Sequence, residues 1–138
     1  MRKKRCLMVG VGGMANAWIQ QFWQPFSDQM EFSALVDINQ ETLDKMGDQL
    51  GVPPSARFVS PQEAFEKAEA DFCCIVTPPA SHREAVELAC ARKLDILSEK
   101  PIADTWQACC DIYRAVQNAG VKMLVTQNYR YNVNILTL

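Results

Sequence analysis

The chain has 138 residues, 49% of them hydrophobic and 22% charged, with a formal net charge of −2. That is one domain's worth of chain, long enough to bury a core. The near balance of charge gives no electrostatic reason to expect nucleic acid or an acidic membrane as a partner, and no apolar run approaches the roughly 20 residues needed to span a bilayer.

The basic cluster Met1-Arg2-Lys3-Lys4-Arg5 leads directly into a strand and reads as a solvated flank rather than a targeting signal. Leu7-Met8-Val9 is that strand. It ends in Gly10-Val11-Gly12-Gly13, and Met14, Ala15, Trp18, Ile19 and Phe22 follow at helical spacing. In a GxGxxA turn the first glycine (Gly10) makes the bend, the second (Gly12) lets a pyrophosphate approach the backbone, and the small Ala15 lets helix pack on strand. The phosphates would sit on free N–H groups at the helix N-terminus. An ordinary tight turn is the alternative.

Glu31 to Asp37 is a second strand whose terminal carboxylate stands close to the roughly 20 residues past the glycine turn expected of a ribose-binding acid. Asp37 would accept from the adenosine ribose hydroxyls and repel a 2′-phosphate. Ile38-Asn39-Gln40 brings no arginine to offset that repulsion, so NAD is expected over NADP. Alternatively Asp37 only caps the next helix, a role open also to Asn39.

Glu41 to Leu50 places Leu43, Met46 and Leu50 on one helical face, and Gly51 with Pro53 stops it. Arg57-Phe58-Val59 is a short third strand. Ser60-Pro61-Gln62-Glu63 is a capping box opening a helix to about Ala68, and Phe72 to Val76 is an unbroken apolar run suited to a central parallel strand. Thr77-Pro78-Pro79 ends it, and Ser81-His82-Arg83-Glu84 reads as another capping box. Ala85, Leu88 and Ala89 face inward on that helix, and Arg92 with Lys93 suits the negative end of its dipole.

Asp95 to Ser98 is the fifth strand, and Asp104 with Gln107 caps a helix carrying Cys109, Ile112, Val116 and Ala119 inward until Gly120 ends it. Met123-Leu124-Val125 is the sixth. Of the six cysteines, Cys73-Cys74 are strand neighbours that point to opposite faces and Cys109-Cys110 are helix neighbours, so neither pair readily chelates one ion. All six read as small buried hydrophobes in a reducing, cytoplasmic setting, with no metal site.

Strands alternating with helices predict an α/β fold with a doubly wound parallel sheet, the Rossmann arrangement, in the order 3-2-1-4-5-6. Ligands of such sheets bind beyond the carboxyl ends of the strands, where strand order reverses. At those ends stand Gly10 to Gly13, Asp37, Thr77 with Pro78, Glu99 with Lys100, and Asn128. Lys100 could donate to a substrate hydroxyl or carbonyl oxygen, stabilise charge there and exchange a proton with it. Its alternative is an exposed loop lysine paired with Glu99.

Together, Gly10-Val11-Gly12-Gly13-Met14-Ala15, Asp37, Thr77-Pro78-Pro79-Ala80-Ser81-His82, Glu99-Lys100-Pro101 and Asn128-Tyr129-Arg130-Tyr131 resemble the glucose-fructose oxidoreductase and inositol dehydrogenase family, Gfo/Idh/MocA. The resemblance implies an NAD(P)-dependent oxidoreductase acting on a sugar, polyol or similar small substrate. Lys100 would be its substrate-contacting catalytic lysine, with Glu99 and Pro101 shaping the loop through a cis Lys-Pro bond. Gly10, Gly12, Gly13, Met14, Ala15, Asp37, Thr77, Pro78, His82 and Glu99 would bind or border the cofactor, as would Asn128, which with Arg130 matches the connection to a second domain. As the only histidine, His82 also reads simply as a first-turn helix residue.

Residues 1–126 are then the dinucleotide-binding domain and 127–138 the start of the connection. Members of the family typically run to more than twice this length, with a C-terminal substrate domain that often forms dimers or tetramers. That domain is missing here, and Ile135-Leu136-Thr137-Leu138 reads as the cut first turn of a further helix. The expectation is therefore a truncated chain that binds cofactor without efficient turnover and self-associates through apolar surface meant for the second domain. The alternatives are a non-catalytic nucleotide-binding or redox-sensing module, a subunit completed by another chain, or a related fold for adenosylmethionine.

Overall fold

The computed structural model describes residues 2–131. Within them, strands β1 (Lys4–Val9), β2 (Met30–Val36), β3 (Arg57–Phe58), β4 (Phe72–Ile75), β5 (Asp95–Ser98) and β6 (Met123–Val125) form one parallel sheet. Its order, β3-β2-β1-β4-β5-β6, is the one expected. The helices are α1 (Gly13–Trp18), α2 (Gln40–Leu50), α3 (Pro61–Lys67), α4 (His82–Ala91) and α5 (Trp106–Ala119). No helix among the described residues is long and apolar enough to cross a membrane. The turn expected at Ile135–Leu138 lies outside the described residues, as does the Phe22 side chain.

Handedness explains the layering. The connections from β1 to β2 and β2 to β3 progress one way along the sheet, and those from β3 through β6 progress the other way. Right-handed crossovers therefore put α1 and α2 on one face and α3, α4 and α5 on the other. Ala15, Ile19, Leu43 and Met46 cover Cys6, Met8, Leu35 and Cys74 on the first face. Ala64, Phe65, Val86, Ala89 and Ile112 cover Leu7, Val9, Cys73 and Ile75 on the second. Cys73 and Cys74 thus stand back to back, as strand geometry requires.

The first face is covered over only part of its width. The register aligns Leu35, Met8, Cys74, Leu97 and Leu124 across β2, β1, β4, β5 and β6. Leu35 is 0% exposed and Leu124 is 63% exposed. Beside this row the chain after α1 continues as a π-helical turn (Ile19–Trp23) and a 3₁₀ turn (Gln24–Phe26). Between those turns and the sheet lies an apolar cavity of ≈ 180 Å³, with Trp18, Trp23, Phe32, Phe72 and Leu97 in its wall.

Several local expectations change. Met14 is 54% exposed instead of facing the core. Ser60 caps α3 by accepting from Glu63 N, but the Glu63 carboxylate pairs with Lys67 rather than returning to the cap. Residues Pro79–Ser81 form a 3₁₀ turn that leaves Ser81 with helical backbone angles, and its hydroxyl makes no cap. Thr105, not Asp104, caps α5 through Ala108 N, and Gln107 bonds Asp111. Arg92 and Lys93 close other helices than their own: Arg92 donates to the carbonyls of Phe65 and Glu66 at the end of α3, and Lys93 to that of Ala119 at the end of α5. All six thiols are free; Cys109 and Cys110 are half-buried where full burial was expected. Burial pushes the Cys6 and Cys73 thiols far up, as expected for inert core groups.

Candidate functional site

The site begins where β1 ends. Gly10 has φ of 87°, and a Cβ there would stand 2.6 Å from the Val76 carbonyl oxygen. Only glycine fits. The turn is then held from both sides: Gly10 N donates to Val36 O at 2.8 Å, and Val11 N donates to the Asp37 carboxylate at 2.9 Å. A Cβ on Gly12 or Gly13 would meet nothing within 4 Å, so the backbone faces open space there. Ala15 is fully buried against the sheet, the close helix–strand packing that its small side chain permits.

Asp37 follows β2 directly. Besides Val11, its other oxygen accepts from Asn39 N at 2.9 Å, while Asn39 itself caps α2 through Thr42 N. The capping role thus falls to Asn39, and the carboxylate braces the glycine turn.

Across the switch point, β4 leads through Val76 into Thr77 and Pro78. The Thr77 hydroxyl oxygen is buried without a hydrogen-bond partner among the described residues. Of the five helices, α2, α3 and α5 carry side-chain caps at their starts, whereas α1 and α4 have none. Those two follow β1 and β4, the strands that flank the reversal of order. The first-turn N–H groups of α1 lack intrahelical partners and are left to solvent or a ligand, whereas the 3₁₀ turn Pro79–Ser81 runs into α4 and takes its first N–H, that of His82, on the Pro79 carbonyl.

His82 is 0% exposed. Its Nε2 lies 2.9 Å from the Thr77 carbonyl oxygen and its Nδ1 3.3 Å from that of Ile102, so the ring faces two loops instead of the open site. The peptide bond between Lys100 and Pro101 is cis, and Lys100 is exposed. Glu99 does not pair with Lys100: its N–H donates to Ile75 O at 2.8 Å and its carboxylate accepts from the Thr126 hydroxyl at 3.1 Å. These bonds join the ends of β4, β5 and β6. Asn128 begins the last turn, Asn128–Tyr131.

The structure thus gathers Gly10, Gly12, Gly13, Asp37, Thr77 and Pro78 at the carboxyl ends of β1, β2 and β4, with Glu99 and Lys100 at the next strand. Thr126 and Ile102, which tie this edge together, carried no signal in the sequence, because their parts depend on β6 and on a loop carbonyl. Among the described residues no group of three or more His, Cys, Asp or Glu side chains could hold a metal ion. A dinucleotide fits what is present: an open glycine cradle, a carboxylate at the second strand, and an unpartnered buried hydroxyl.

Comparison with known proteins agrees. Residues 4–127 match the Gfo/Idh/MocA model, an oxidoreductase family with an NAD-binding Rossmann fold. The chain is 40% identical over 136 residues to the uncharacterized protein y4oX of Sinorhizobium fredii, covering 97% of this chain and 38% of that protein. It is 30% identical over 103 residues to the D-apiose dehydrogenase of Rhizobium rhizogenes, covering 75% of this chain and 29% of that one. The crystal structure of the WlbA dehydrogenase from Bordetella pertussis, in complex with NADH and UDP-GlcNAcA, aligns with a TM-score of 0.88 at 26% identity, over 99% of this chain and 40% of that chain. The chain therefore spans well under half the length of these relatives.

Proposed function

The chain belongs to the Gfo/Idh/MocA oxidoreductase family through its NAD-binding Rossmann fold, and from that premise we propose that it is the cofactor half of a dehydrogenase acting on a sugar, polyol or similar small hydroxylated substrate. The observation that carries this reading is the braced carboxylate of Asp37 beside an open Gly12–Gly13 cradle. In this reading Asp37 accepts from the ribose hydroxyls, and the first turn of α1 receives the pyrophosphate. NAD is the preferred cofactor, since nothing in Ile38-Asn39-Gln40 offsets the repulsion between Asp37 and a 2′-phosphate.

When bound, the nicotinamide supplies the site that gives or takes hydride. Lys100 does the rest that this chain can do: its ammonium donates to the substrate oxygen, stabilises charge that develops there, and passes a proton to or from it. Glu99, fixed through Thr126 and Ile75, holds the end of β5 from which Lys100 projects. The remaining length seen in the relatives supplies the substrate side, so the 138 residues alone bind cofactor with little turnover. The same reading places the chain, with its free thiols, in the cytoplasm, and makes it one subunit of an oligomer.

Lys100 is exposed and paired with no carboxylate among the described residues. The alternative reading is a dinucleotide-binding module that turns over no substrate itself and has no need of such a lysine. Calorimetric titration with NAD⁺, NADH and NADP⁺, repeated on Asp37→Ala, tests the first part of both. Tighter binding of NAD(H) than NADP⁺, with the preference lost in the variant, supports the cofactor site; no binding of any dinucleotide overturns it. Fusion to the remaining length of one of these relatives, with and without Lys100→Ala, then separates enzyme from module by turnover.

A further inference from the structure

Strand β6 is the outermost strand of its side of the sheet, and among the described residues its one neighbour is β5. Lys122 O accepts from Ile96 N at 2.8 Å and Thr126 N donates to Ser98 O at 2.9 Å, so both positions turn these backbone groups toward β5. Hydrogen-bonding direction alternates along a strand. Leu124 therefore also bonds inward, while the N–H and C=O groups of Met123 and Val125 point off the edge. An edge of this kind is a template for one more strand, and Met123-Leu124-Val125 carries no proline, charge or bulge to guard it.

Apolar groups are exposed on both sides of this edge. Leu124 projects from the first face of the sheet. On the second face α5 is the outermost helix: it turns Asp111 toward Arg83 of α4, and Ala108 and Ile112 toward the sheet. Its remaining flank, away from α4, carries Trp106, Cys109, Tyr113 and Val116 at alternating three- and four-residue spacing, the pattern of a seam between two helices. Trp106 and Tyr113 are exposed, and Cys109 and Val116 are only partly buried.

We propose that this edge is an interface with a second copy of the chain, in which the two β6 strands pair antiparallel across a two-fold axis at Leu124. The edge is self-complementary about that point. Met123 of one copy faces Val125 of the other, and each such pair exchanges both of its N–H to C=O bonds, which satisfies every outward group of the strand. Leu124 stands opposite its own copy in the close, non-hydrogen-bonded register. Lys122 falls opposite Thr126 rather than another lysine, so no like charges meet. An axis perpendicular to the sheet keeps both α5 helices on one face. With strands about 4.8 Å apart and α5 over the gap between β5 and β6, the two helices lie about 10 Å apart, a distance at which helices pack. One axis thus covers the open backbone, Leu124 and the aromatic flank of α5 together, whereas a lone strand from another protein would leave that flank bare. The proposal rests on the reading above that the chain is one subunit of an oligomer; it does not depend on Lys100 or on the cofactor.

Charge placed on the axis tests it. Sedimentation velocity is expected to show the 138-residue parent as a dimer at high concentration. Leu124→Glu and Leu124→Lys each set like charges face to face and are expected to raise the dimer dissociation constant roughly tenfold or more, yet mixed in equal amounts they set opposite charges face to face and recover the dimer. Met123→Pro removes an edge donor that β5 does not use, at the first residue of the strand, and is expected to weaken the parent dimer without lowering the monomer's melting temperature by more than a few degrees. A parent that stays monomeric overturns the proposal and the oligomer reading together. A dimer that persists in both Leu124 variants, or a mixture no more dimeric than its components, overturns the two-fold pairing of β6 while the oligomer reading stands. Residue 124 is exposed, so both of its variants fold, and the mixing experiment decides even if the proline variant does not.

Discussion

The carboxylate of Asp37 accepts from the backbone N–H of Val11 at 2.9 Å across 26 positions of sequence, joining the end of β2 to the middle of the glycine turn. One side chain thus shapes the cradle and presents the charge that would read the ribose. Removing the charge and removing the bond are therefore different experiments. Asp37→Asn keeps an acceptor for Val11 and is expected to weaken NAD⁺ binding roughly tenfold while leaving stability nearly unchanged. Asp37→Ala loses both bonds and should also lower unfolding free energy by about 1–2 kcal/mol. Urea denaturation beside calorimetry checks this; equal stability of the two variants would show that the brace contributes nothing.

Gly10 and Gly12 are two residues apart and make opposite predictions. At Gly10 a methyl group would stand 2.6 Å from Val76 O with φ at 87°, so Gly10→Ala is expected to destabilise the fold by roughly 2–3 kcal/mol. At Gly12 the methyl group meets nothing within 4 Å. Gly12→Ala should leave the melting temperature within a few degrees and reduce dinucleotide affinity at least tenfold, because the methyl group occupies the space reserved for phosphate. Unchanged affinity in Gly12→Ala would remove the cradle from the site.

Asp71 supplies a dependence on acid. The Arg5 backbone N–H and then the Arg5 guanidinium, with help from Arg2, hold its carboxyl at about 2, below the ordinary 3.8. Its stabilisation is thus fully present above about pH 4 and fades as pH falls toward 2, where the folded form also takes up the proton. Denaturation midpoints measured at pH 5, 3 and 2 should fall more steeply for the parent than for Asp71→Asn. Parallel curves would mean that the link between the start of β1 and the start of β4 contributes nothing through this charge.

Leu124 is the exposed end of a row on the sheet that is buried at Leu35, Met8 and Cys74 and half-buried at Leu97. The isolated chain is expected to self-associate there, and Leu124→Glu should shift it toward monomer in light scattering at high concentration. A monodisperse parent monomer under the same conditions would refute this.

Much of the architecture was legible because strands and helices here are spelled by apolar runs and by breakers. Asp95–Ser98 and Met123–Val125 have the bounds that the sequence suggests. What escaped depends on neighbours far along the chain. Ser81 carries the pattern of a cap, yet the 3₁₀ turn before it fixes its backbone in the helical region, where the hydroxyl cannot serve. Arg92 and Lys93 look like a cap for α4, but the ends of α3 and α5 are within reach and take them. Glu99 stands next to Lys100 in sequence, while folding delivers Thr126 to its carboxylate. His82, with Thr77 and Ile102 on either side, belongs to the same class: a motif residue whose partners only the fold could reveal.

The adjacency of Cys73 and Cys74 carries a consequence for how the molecule comes apart. Cys73 is 0% and Cys74 5% exposed, each in a different apolar layer, so one short strand forms a wall of both. Neither layer can swell without moving a side chain that the other needs in place. Melting of the two halves is thereby coupled, and a scanning calorimeter should record one cooperative peak rather than two.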